Sequence, residues 1–174
     1  MTNDSFTTHH KFLTNVFFTR EAAEQAYDTI LSYGYTKDEV SILMSNETRD
    51  KFFADTELPN SDLSNKALEG LGVGSAIGSA IGGVAAAIAA IGTVLAIPGL
   101  GIIVAGPIAA GLAGAGAGGI AGGFTGALIG SGLPGERAQE YEGAIKEGGI
   151  VIGVQTHNES DYKILESKLA IIAS

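Results

Sequence analysis

Few side chains in this chain of 174 residues could carry chemistry, and their spacing argues against most of it. His9 and His10 are adjacent near the start and His157 lies far along the chain. A metal site would need all three to converge with carboxylate support, and surface histidines are the simpler reading. Gly114, Gly116 and Gly119 fit the spacing G-x-G-x-x-G, but no β-rich run precedes them and no acidic residue follows within 15 positions. A dinucleotide fingerprint needs both, and no Lys-Ser/Thr pair follows to make a P-loop. Glu136, Arg137, Glu140 and Glu147 read as the solvated face of one helix. Ser75, Ser79 and Ser131 have no neighbouring base to activate them as nucleophiles. With no Cys in the chain, disulfides, thiolate zinc sites, iron–sulfur clusters and cysteine nucleophiles are excluded. The residue pattern therefore predicts no enzymatic chemistry, no cofactor and no metal.

Composition narrows the classes further. A hydrophobic fraction of 45% with 17% charged residues predicts a chain that folds. The net charge of −9 argues against nucleic acid as a partner, because no surplus of Lys and Arg is present to neutralise phosphates. The first residues, MTNDSFTTHH, contain an acid and no apolar run, which predicts a mobile tail over 1–11 instead of a secretory signal.

The elements that must position these residues fall into two flanks and an insert. Phe12 to Phe18 is rich in β-formers and predicts a strand. From Thr19 onward, Ala23, Ala26, Tyr27, Ile30 and Leu31 recur at helical spacing until Gly34. Tyr27, Tyr33 and Tyr35 read as core and rim of the same domain. Thr36 to Glu39 reads as a capped turn and Val40 to Met44 as a second strand, so the first flank predicts a β-α-β unit with two parallel strands. Asn46 to Phe53 predicts a short helix capped by Asn46, followed by a connector over 54–65 containing Pro59. In the second flank Pro134 stands at a favoured first helical position, and Ala138, Tyr141, Ala144 and Ile145 form a stripe that ends at Gly148 and Gly149. Strand Ile150 to Val154 follows, then a helix capped by Asn158 carrying Tyr162, Leu165, Leu169 and Ile172. The expected fold class is α/β, in the α+β sense: a small sheet with packed helices, built discontinuously from 12–53 and 133–174.

Between the flanks, Gly70 to Gly135 form 66 residues with no charge, holding most of the 26 Gly. Gly70, Gly74, Gly78 and Gly82 step by four, and Ala86 and Ala90 continue the series. A second series runs through Gly106, Ala110, Gly114, Gly118, Gly122, Gly126 and Gly130. Pro98, Gly99 and Gly101 punctuate the two series as a turn. The pattern predicts a glycine-zipper helical hairpin over 66–132, with arms near 71–95 and 106–131. Gly opposes a helix by about 1 kcal/mol relative to Ala, so isolated arms would be destabilised on the order of 15 kcal/mol. Close backbone packing between small-residue faces must offset that, which predicts a homo-oligomer packed through these glycines. Arms of about 25 residues would also be long enough to cross a bilayer. Lys66 and Arg137, just outside the two ends, would then both lie on the cytoplasmic side.

The segments VFFTREAAEQAYDTILSYGYTKDEVSILMSNETRDKFF, AIPGLGIIVAGPIAAGLAGAGAG and LPGERAQEYEGAIKEGGIVIGV resemble the bacterial general stress protein family in its versions with a glycine-zipper insertion, a resemblance that extends over nearly the whole chain. The resemblance implies a stress-associated protein, often described as a membrane protein, with no catalytic residues to carry across. The expectation is a non-enzymatic protein that self-assembles at or in a membrane, its flanks in the cytoplasm and itself and a lipid bilayer as partners. The alternative is a soluble ring, shell or filament with the hairpins buried at its centre. A membrane-damaging pore ranks third.

Overall fold

The structure, a computed structural model, describes residues 11–53, 84, 94–97, 101–114, 123–130 and 135–174. Of the tail expected over 1–11, residues 1–10 lie outside the described residues, as does the connector over 54–65; Lys11 C=O accepts from Thr156 N–H at 2.9 Å. Strands are β1 (Phe12–Phe17), β2 (Val40–Ser45), β3 (Val94–Ile97), β4 (Ile102–Ala105) and β5 (Ile150–Gln155). Helices are α1 (Arg20–Ser32), α2 (Asn46–Phe53), α3 (Pro107–Gly114), α4 (Gly123–Gly130), α5 (Gly135–Lys146) and α6 (Glu159–Ala173). The five strands form one sheet in the order β1-β5-β2-β4-β3, every neighbouring pair antiparallel. The α/β class expected from the sequence is the class observed.

Local signals in the flanks explain the element ends. The Thr19 side chain accepts from Ala22 N–H to start α1, and Gly34 ends it with φ +89°. Thr36 and Glu39 form a capping box on a 3-10 turn before β2. Asn158 accepts from Asp161 N–H at 2.8 Å to start α6. The start of α2 is capped one residue earlier than expected: Ser45 Oγ, not Asn46, receives Thr48 N–H at 3.0 Å.

Side-chain alternation across the sheet makes two cores. On one face Leu13, Phe17, Val40, Ile42, Met44, Ile150, Ile152 and Val154 pack with Ala23, Ala26, Tyr27 and Ile30 of α1 and Leu165 and Leu169 of α6. On the other, Leu43, Ile102, Val104 and Val151 pack with Ile108 and Ala109 of α3, Leu128 of α4 and Ala138, Tyr141 and Ile145 of α5. The stripes of α1, α5 and α6 read from periodicity are the faces that pack against the sheet. Covering both faces makes a three-layer domain and explains why β2 and β5 are buried along nearly their whole length.

β1 and β2 run parallel, as expected, with β5 between them and antiparallel to both, a split β-α-β arrangement. Two expectations for the insert are corrected. The insert does not turn from helix to helix around Pro98, Gly99 and Gly101. Val94–Ile97 and Ile102–Ala105 are strands paired with each other, β4 pairs with β2, and Gly101 at φ +63° lies between them, so the residues after 93 leave the expected first arm for the sheet. Nor is 106–131 one straight arm. α3 and α4 lie in contact, whereas residues 114 and 123 of a single helix would stand about 13 Å apart.

Candidate functional site

The described part of the glycine-rich segment is seated on the sheet at the corner between β4 and α3. Gly106, expected on a helix face, instead turns the chain there with φ +85°. A side chain at this position would overlap the Val40 carbonyl oxygen and stand 2.9 Å from Ser41 Cα, so only Gly permits the approach. The fully buried Ser41 hydroxyl accepts from Ile108 N–H at 3.2 Å, capping α3 from the neighbouring strand. Gly106 C=O also accepts from Ala109 and Ala110 N–H, closing the first turn.

From that corner α3 and α4 pack on each other and α4 packs along α5. Gly114 ends α3, and Gly126 and Gly130 are in α4. Thr125, one of the few polar residues of the uncharged stretch, donates its hydroxyl to Glu142 of α5, which also accepts from Lys146 Nζ at 2.7 Å. Lys146 first and Thr125 second hold the Glu142 carboxyl below its usual range. α4, Gly-Phe-Thr-Gly-Ala-Leu-Ile-Gly, has no charged face, yet Ile129 is 48% exposed. Gly70, Gly74, Gly78, Gly82, Gly118, Gly122, Pro98 and Gly99 lie outside the described residues, as do His9, His10, Ser75, Ser79, Ser131, Gly116 and Gly119. Val84, described from the first ladder region, is buried on the α1/α6 face, opposite the face that holds α3 and α4.

Two polar clusters stand at the sheet end where β1 and β2 begin and β5 finishes. His157, expected as a plain surface residue, places Nε2 2.6 Å from Glu39 and stacks on Tyr35 with ring centroids 4.4 Å apart. Tyr35 OH accepts from His157 N–H at 3.1 Å and donates to Asp161 at 3.1 Å. Glu39 accepts from Thr36 N–H and Thr36 Oγ1, each at 2.8 Å. The Thr36 N–H foremost, then His157, hold its carboxyl down at about 2. Burial raises the Tyr35 phenol, and burial with two nearby aspartates pushes Tyr27 up to about 12. These groups satisfy one another and tie the turn before β2 to the start of α6.

The second cluster crosses β1. The buried Thr14 hydroxyl bonds the Tyr141 hydroxyl, and Arg137 also bonds the Tyr141 side chain, which favours the charged guanidinium. Arg can only donate, so Tyr141 accepts from it, while either hydroxyl can donate in the bond between Tyr141 and Thr14. Lys11 pairs with Glu159 at 2.8 Å and lies over the Tyr162 ring. Glu136, Glu140 and Glu147 remain on the exposed face expected for them. The sequence hides both clusters because their members lie more than 100 positions apart; only the Thr36/Glu39 capping box marked one of them locally.

Among the described residues no group of three His, Asp or Glu is placed to hold a metal ion, and no helix is long and apolar enough to cross a membrane. Comparison with protein-family models, with curated proteins and with solved structures finds no match to this chain.

Proposed function

We propose that the chain is a non-enzymatic, stress-associated protein that self-assembles through its uncharged glycine-rich segment at a membrane, with its α/β flanks on the cytoplasmic side. One observation carries the reading: α4 has no charged residue, and Ile129 stands on it 48% exposed. A helix without a charged face belongs against protein or lipid on the sides its own fold leaves open. A second copy or a bilayer would supply the missing cover. The association with stress rests on the family resemblance alone.

The alternative, a soluble homo-oligomeric ring, shell or filament, is favoured by the packing of α3 and α4 back onto the sheet, which leaves less apolar helix for lipid. Vesicle flotation together with light scattering in detergent-free buffer decides between them. Flotation with phosphatidylglycerol-containing vesicles, weakened by Ile129→Glu, is the expected result. A large particle that does not float supports the soluble assembly. A monomer that does not float overturns both readings.

A further inference from the structure

We infer that the free edge of β1 is a two-fold interface, on which a second copy of this chain pairs its own β1 antiparallel to make one continuous sheet across the dimer. The inference does not depend on the glycine-rich segment. β1 ends the strand order, so one of its edges has no strand partner among the described residues. Its phase follows from one bond: Thr156 N–H donates to Lys11 C=O at 2.9 Å, making Lys11 and Thr156 a hydrogen-bonded pair. Antiparallel pairs alternate, so Leu13, Asn15 and Phe17 also point their backbone groups at β5, while Phe12, Thr14 and Val16 point theirs outward. The side chains agree. Gly153 and Thr14 are opposite one another in a close, non-hydrogen-bonded pair, and a Cβ on Gly153 would come within 2.8 Å of Thr14 Cγ2.

The devices that keep an edge strand single are missing here. From Phe12 to Thr19 there is no charge and no Pro, the register with β5 runs without a bulge, and Phe18 at the end is 53% exposed. The strand is also complementary to itself. A two-fold axis at Asn15 sets Leu13 opposite Phe17 of the second copy, Thr14 opposite Val16, Phe12 opposite Phe18 and Asn15 opposite Asn15. Each pair shares a sheet face, and the outward backbone groups meet in hydrogen-bonded pairs. An axis at Thr14 would instead set Lys11 against Phe17 and Leu13 against Asn15, so the Asn15 axis is the better fit.

The absence of Cys makes the test direct. In the inferred dimer the two Asn15 Cα atoms would be about 4.5 Å apart, within disulfide reach. Full-length Asn15→Cys protein is oxidised and followed on non-reducing gels beside Ser167→Cys, an exposed position on α6. Covalent dimer is expected to form at least about tenfold faster at position 15, because a held pair of thiols reacts at a raised effective concentration. Val16→Pro in the Asn15→Cys background should abolish that advantage, since it removes an outward N–H and leaves the bonds to β5 in place. Should Val16→Pro lose its circular dichroism signal, Phe18→Lys takes its place. Equal rates at positions 15 and 167, or cross-linking unaffected by the folded edge variant, would overturn the inference. Ile129→Glu should leave the cross-link unchanged, so failure of the glycine-segment reading and failure of this one are separable.

Discussion

The seat of the glycine-rich segment predicts a large penalty for adding one methyl group at Gly106. Gly106→Ala forces a non-Gly residue to hold φ +85° and drives a Cβ into the Val40 carbonyl and to 2.9 Å from Ser41 Cα. The left-handed backbone costs about 1–2 kcal/mol. Because Val40 and Ser41 are central in the sheet, the β4–α3 corner has to move instead. That stretches the Ile108 N–H to Ser41 bond, worth about 1 kcal/mol, and partly exposes Ile108, worth about 1–2 kcal/mol. A loss of about 4 kcal/mol follows, lowering Tm by roughly 8–16 °C for a domain of this size. Urea unfolding followed by far-ultraviolet circular dichroism measures it. Gly143→Ala is the control: Gly143 is in the middle of α5 with nothing within 4 Å of an added Cβ, and the helix preference of Ala should raise stability by about 0.5–1 kcal/mol. A Gly106→Ala protein within about 1 kcal/mol of the parent chain would refute the close approach on which the seat depends.

Tyr141→Phe should cost about 1–2 kcal/mol, because it strands the buried Thr14 hydroxyl, while the exposed Arg137 can turn to water. Thr14→Val should cost less, since Tyr141 keeps Arg137, and a double-mutant cycle between the two should show coupling of about 1 kcal/mol; simple additivity would mean the hydroxyls do not interact. Glu39, held at about 2 against an ordinary 4.5, contributes stability that is complete above about pH 5 and fades as pH falls through that interval. Glu39→Gln should therefore lower the urea midpoint at pH 7 and have a much smaller effect near pH 2, where the contribution has largely faded, and a difference constant with pH would disprove the assignment. Gly118→Leu combined with Gly122→Leu should reduce the particle mass measured by light scattering, while an unchanged mass would remove those glycines from the contact.

The flanks were legible because each helix shows its buried stripe and its ends are written locally, as at Thr19, Gly34 and Asn158. The strand order was not. β5 is apolar on both faces, which identifies a central strand but not its neighbours, and the crossover through α1 is long enough to leave room for a strand between β1 and β2. Val94–Ile97 and Ile102–Ala105 were hidden for a different reason: short apolar runs in an Ala/Gly background have no period that separates strand from buried helix. The β-branched residues flanking Pro98 and Gly99 were the available hairpin signal. The Glu39–His157 and Thr14–Tyr141 contacts depend on the tertiary fold and had no signature in the chain beyond the capping box.

That hairpin changes what the glycine spacing has to explain. Val94 and Ala105 are register partners, so the two halves of the uncharged segment meet the sheet side by side, as a helical hairpin would also have arranged. The described residues then diverge, Val84 into the core beneath α1 and α6, α3 and α4 into the core beneath α5. With a sheet between those positions, Val84 does not pack on α3 or α4, and the helix penalty of the glycines in α3 and α4 is offset by contact with the chain's own sheet and α5. The proposed self-association then needs only the side of α4 on which Ile129 stands exposed. Ile129→Glu therefore probes that contact more directly than any glycine does, because it charges the uncovered side while the Thr125–Glu142 contact that fixes α4 on α5 stays intact.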